Sequence, residues 1–99
     1  MPDIKITREE AGTQGRYVGR IDGIDGEAEI TFTRRSPNLI SADHTNAPES
    51  MRGTGAAMAL VTRMIADARL EGFKIIPVCP YVQAQYMRHP EWADVMSAD

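Results

Sequence analysis

The 99-residue sequence has almost nothing to cross-link it: its one cysteine, Cys79, excludes an internal disulfide framework. The simplest reading of a lone cysteine is a cytoplasmic protein with a free thiol. Long hydrophobic runs are absent too, and none approaches the roughly 20 residues needed to span a bilayer. Met1-Pro2-Asp3 lacks a charged stretch followed by an apolar one, so no signal peptide is expected. Basic residues are in deficit. Eleven Lys and Arg stand against 14 Asp and Glu, for a formal charge of −3, which argues against a dedicated nucleic-acid binder. It does not exclude an anionic small ligand held at one local site. There is no repeat, no low-complexity segment and no linker. A chain of this size buries only about 60–65% of its unfolded surface, so one domain over residues 1–99 with a single core is expected.

What is present divides into two halves. The first half alternates in the manner of strands. Asp3 to Glu9 sets Ile4 and Ile6 against Lys5 and Thr7. Arg16 to Asp22 forms a second strand, with Gly19 a candidate bulge. Glu27 to Arg34 sets Ala28, Ile30 and Phe32 against Glu29, Thr31 and Thr33, and Leu39 to Thr45 is a fourth strand. Asp25-Gly26 is a hairpin signal, and short connections throughout favour an antiparallel meander. From Arg52 to Leu70 the pattern turns helical, with an apolar stripe of Ala57, Leu60, Val61, Met64, Ile65 and Ala68. Thr62, Arg63, Asp67 and Arg69 fall on the polar side, and Gly72 is a natural stop. Phe73 to Val78 reads as a strand parallel to the fourth through a right-handed crossover, with Pro77 favouring an edge. Tyr81 to Arg88 is a second helix, and Trp92, Val95 and Met96 dock the tail. The order is β-β-β-β-α-β-α, an α+β layer sandwich.

The most informative stretch is Arg52-Gly53-Thr54-Gly55-Ala56-Ala57, which opens the long helix. Glycines let the backbone approach a ligand, and the free N–H groups of a first helical turn suit a phosphate or pyrophosphate. Arg52 adds a positive charge at the entrance. A glycine loop that merely turns tightly is an equal alternative on this motif alone. The spacing fits neither GxxxxGK[ST] nor GxGxxG, since residue 58 is Met.

The same stretch resembles the acetyl-CoA motif Q/R-x-x-G-x-G/A of the GNAT superfamily of N-acetyltransferases, with Arg52, Gly55 and Ala57 at its defined positions. The element order is similar as well. Closest is the small stand-alone GNAT-like subgroup, whose signature is similar to His44-Thr45, Pro48-Glu49, Arg52-Gly53-x-Gly55, Pro77-x-Cys79-Pro80-Tyr81 and His89-Pro90-Glu91. The resemblance covers most of residues 27–95. It implies a minimal GNAT-like fold with strands four and five parallel and splayed. It also implies acetyl-CoA as acyl donor, with its pyrophosphate on the N–H groups of Gly53, Thr54, Gly55, Ala56 and Ala57 beside Arg52.

The partners implied are acyl-CoA and an unidentified amine acceptor, with neither nucleic acid nor membrane, in a monomer or homodimer. Cys79 and Tyr86 stand where GNAT proteins often carry Asn and Tyr. Cys79 is either a small buried hydrophobe or a thiolate that takes the acyl group and passes it on. His44 is either a general base, able to act on an amine or lower the thiol pKa, or a hydrogen-bonding strand end. Tyr86 resembles the GNAT tyrosine that protonates the departing thiolate, and it is otherwise a half-buried anchor. Tyr81 competes for that role. His89 shapes the C-terminal turn, Glu49 caps the helix or favours its dipole ahead of any role as a base, Met58 and Met64 belong to the core, and Arg34-Arg35 is most simply a solvated strand end, with attraction of a CoA phosphate as the alternative. No CxxC or HxxxH spacing supports a metal site. Non-catalytic acyl-CoA binding or sensing is the alternative function. GNAT enzymes usually carry further N-terminal helices that build the acceptor pocket, and no such helices are expected here.

Overall fold

The computed structural model describes residues 3–97. Strands β1 (Ile4–Ala11), β2 (Gln14–Ile21), β3 (Ala28–Ser36) and β4 (Leu39–Asn46) form an antiparallel meander. A 3-10 turn over Glu49–Met51 leads to helix α1 (Ala56–Glu71), strand β5 (Lys74–Pro77) and helix α2 (Pro80–Arg88). A last 3-10 turn, Pro90–Val95, closes the chain. The sheet order is β1-β2-β3-β4-β5, with β5 parallel to β4. The expected architecture is therefore the observed one, and β5 lies at the sheet end as Pro77 suggests.

One sheet face carries the core. Ile4 and Ile6 of β1, Tyr17 and Ile21 of β2, Ala28, Ile30 and Phe32 of β3, Ile40 and Ala42 of β4 and Ile75 of β5 join one apolar cluster. Helix α1 closes it with Ala56, Leu60, Val61, Met64, Ile65 and Ala68, spaced at three and four residues as one helical face. Val82 of α2 joins the same cluster, and Trp92 and Val95 dock the tail. Met96 bridges Ile75, and the Ser97 amide donates to the Ile75 carbonyl.

The sequence-based reading needs four corrections. Helix α1 starts at Ala56, not Arg52, because Gly53 (φ 79°) and Gly55 (φ 80°) are left-handed and cannot continue a right-handed helix. The stripe consequently begins with buried Ala56, and Ala57 is only half-buried. Gly19 is no bulge. It pairs in register with Ile6 and Ala28, and a side chain there would press on Leu60 of α1 at 3.1 Å. Asp67, assigned to the polar side, is buried and accepts a 2.8 Å hydrogen bond from the Tyr17 hydroxyl.

The bulges lie instead between β3 and β4. Thr31 pairs with His44 but Phe32 pairs with Ala42, so Asp43 is the extra residue. Its carboxylate is tied down by Thr33 Oγ1 (2.6 Å) and Ser41 Oγ (2.8 Å). Paired residues share a face. Ala42, opposite Phe32, and Thr45, opposite Ile30, therefore face the core, whereas His44, opposite Thr31, faces away. Without the bulge, simple alternation would have put His44 on the Ala42 side.

Candidate functional site

The candidate site is built from two features, the α1 entrance and the end of the β4–β5 pairing. At the entrance, Met51 is buried and fixes the chain to the core. Ser50 Oγ donates to the Asp25 carbonyl at 2.9 Å, so the β2–β3 turn braces the loop. The Thr54 amide and hydroxyl both donate to the Met51 carbonyl, and Thr54 Oγ1 accepts from the Ala56 amide at 3.3 Å. Gly53 and Gly55 then turn through the left-handed region. A Cβ built on either would meet nothing within 4 Å, so glycine is required there by φ while the space above the loop stays open.

Among the described residues, no protein group accepts from the amides of Gly53, Gly55, Ala57 or Met58. Free amides at a helix start suit an anion, and the dipole of the sixteen-residue α1 adds to them. Arg52 is exposed beside it and only loosely paired with Glu49, 3.8 Å away. The six expected cofactor residues, Arg52 through Ala57, are thus contiguous in one loop. Thr54 and Ala56, however, have their amides engaged within it.

The second feature is the place where the β4–β5 pairing ends. The last β4–β5 pair is Ala42 with Pro77, and the Cys79 amide donates to the Ala42 carbonyl at 2.8 Å. Beyond Ala42, β4 continues to Asn46 while β5 ends at Pro77, so the β5 side of that stretch has no strand partner. Cys79 is the N-cap residue of α2 and only 3% exposed. Its Sγ lies 3.1 Å from Thr45 Oγ1 on the unpaired end of β4. An unpaired β4 edge, a thiol and a hydroxyl therefore converge at one place.

The GCN5-related N-acetyltransferase family matches residues 16–95. The chain belongs to that family. Its fold is similar to the solution structure, solved by NMR, of a GCN5-like protein from Staphylococcus aureus. The TM-score is 0.64 at 22% identity, covering 92% of this chain and 87% of the other. No curated protein matches the chain.

Within this N-acetyltransferase family fold the expected catalytic residues separate. Cys79, Val82 and Tyr86 recur at three and seven residues, so they share the inner face of α2. Tyr86 is half-buried against the core. Seven residues of helix put it about 10 Å along the axis from the thiol. His44 is exposed on the opposite sheet face, and the thiol's partner is Thr45. The expected approach of His44 to Cys79 is not formed. Tyr81 is half-buried, and burial, followed by the charge of Cys79, pushes its hydroxyl pKa up. His89 pairs with Glu91 at 3.1 Å and stacks on Trp92 at the C-terminal turn. Among the described residues, no group of three His, Cys, Asp or Glu is placed to hold a metal ion. No described helix is long and apolar enough to cross a membrane. Sequence reading missed Thr45 as the thiol's partner, because only the Asp43 bulge turns it to that side.

Proposed function

We propose that the chain is an acyltransferase that moves an acetyl group from acetyl-CoA to an amine acceptor. The observation that carries this reading is the set of amides at Gly53, Gly55, Ala57 and Met58 that find no acceptor among the described residues at the start of α1. Those amides and Arg52 suit the two phosphates of a pyrophosphate, and the open space over both glycines admits them. When bound, acetyl-CoA would supply an acyl group activated as a thioester. The β4 edge beyond Ala42 offers backbone donors for the carbonyl oxygen, where negative charge develops during acyl transfer. Thr45 Oγ1 orients the Cys79 thiol by their 3.1 Å contact. The Tyr86 hydroxyl, on the same helix face, is the proton donor for the leaving sulfur.

The acyl group passes to the amine directly or through Cys79 as a transient thioester. Incubation with acetyl-CoA followed by intact-mass measurement separates the routes. The cysteine route gives a wild-type species one acetyl group heavier, absent in Cys79→Ala, together with a turnover loss of at least about a hundredfold. Full turnover in Cys79→Ala leaves the direct route. Tyr86→Phe should lower kcat by about tenfold to a hundredfold with little change in acetyl-CoA affinity. An unchanged kcat would remove Tyr86 from the proton-donor role. The alternative, acyl-CoA binding or sensing without turnover, draws on the near-complete burial of the thiol. Tight CoA binding with no transfer to any amine would favour it.

A further inference from the structure

We propose that β1 is a self-association edge, and that two copies pair β1 to β1, antiparallel, about a two-fold axis through Thr7. Strand β1 ends the sheet, and among the described residues no strand pairs with its outer side. It is eight residues long, above the usual strand length, and free backbone groups on such an edge are a template for another strand. The occupant is indicated by the charge order of the strand itself.

Ile4, Ile6, Arg8 and Glu10 face the helix side, and Lys5, Thr7 and Glu9 face the open side. An axis perpendicular to the sheet keeps like faces together, so only residues of equal parity oppose each other. Centring on Thr7 sets Lys5 of each copy against Glu9 of the other, with Thr7 against Thr7. The opposite charges and paired threonines are both favourable cross-strand neighbours. Centring on Arg8 would set Arg8 against Arg8, and centring on Ile6 would set Lys5 against Thr7. Of these three registers, only the one centred on Thr7 sets opposite charges against each other on the open face.

On the helix side the same register sets Ile6 of each copy opposite Arg8 of the other and Ile4 opposite Glu10, and it makes the two Ile6 side chains diagonal neighbours within reach of each other. Arg8 does not obstruct them, because its guanidinium is drawn inward to Glu71, Glu10 and Asp67. Beside β1 runs an open groove of about 560 Å3, lined by Ile4, Ile6, Met58, Ala59 and Ala66 and reaching Gly55. Pairing joins the two grooves into one trough between the α1 helices.

Sedimentation of the full chain tests this directly. The wild type should sediment as a concentration-dependent dimer of the 10.9 kDa chain, and the dimer should weaken as salt rises. Lys5→Glu and, independently, Glu9→Lys should each weaken association by about tenfold or more, with circular dichroism unchanged. The double variant Lys5→Glu/Glu9→Lys should restore it. Within one chain the double variant loses both the Lys5–Asp22 and the Glu9–Arg16 pairs, so restoration cannot come from better folding. A wild type that stays monomeric at millimolar concentration overturns the proposal. So does a dimer indifferent to either single change, or a double variant that stays dissociated.

Discussion

Tyr17 and Asp67 lie 50 residues apart and share a buried hydrogen bond of 2.8 Å. Arg8 at 3.3 Å and Arg63 at 3.2 Å complete the carboxylate's partners, so a buried charge is balanced where apolar packing alone would leave it costly. Replacing Asp67 with Ala should cost about 1–3 kcal/mol in urea denaturation, because the buried Tyr17 hydroxyl loses its acceptor and Arg8 loses one of its three carboxylates. Burial first, then the Asp67 hydrogen bond and charge, raises the Tyr17 pKa. A folded-state pKa above the unfolded value of about 10 gives stability that is complete below pH 10 and is lost as pH rises beyond it. Stability should thus fall above about pH 10, and Tyr17→Phe should flatten that fall. An identical alkaline slope in the variant would show that other groups control it. None of this network was legible in the sequence. Helical periodicity puts Asp67 beside polar neighbours, and only the tertiary fold brings Tyr17 to it. Cys79 and Tyr86 were legible as a shared motif, but the partner of Cys79 was not.

At the scale of elements, the strand order and both helices follow from local pattern. Alternation over β1 to β4, the three-and-four spacing of α1 and glycines at the turns each specify an element without tertiary help. Two features do not follow, and both belong to the site. The glycine loop delays α1 to Ala56, since two left-handed residues precede it. The Asp43 bulge reverses the faces of His44 and Thr45, since side-chain hydrogen bonds from Thr33 and Ser41 hold one extra residue in β4. Asp43→Ala should release that residue. The expected cost is about 1–2 kcal/mol, with faster amide hydrogen exchange over residues 41–45 than elsewhere in the sheet. Exchange that rises evenly across the sheet would mean that the bulge is held by the backbone alone.

At the scale of the whole molecule, a short chain of an N-acetyltransferase family carries a glycine loop at the start of α1 and a parallel β4–β5 pairing that ends at Ala42 and Pro77. The negative net charge is no obstacle, because the donors at the loop are backbone amides and one arginine. The central claim is that the free amides from Gly53 to Met58 hold the pyrophosphate of CoA. Calorimetric titration with CoA tests it on three proteins. Wild type should bind. Gly55→Val should lose at least about tenfold in affinity, because a side chain at φ 80° strains the loop and fills the space over it. Gly72→Ala carries the same backbone strain at φ 82° at the far end of α1. It should cost about 1 kcal/mol of stability and leave CoA affinity unchanged. Equal affinities in all three proteins, or no heat of binding from the wild type at millimolar CoA, would contradict the account.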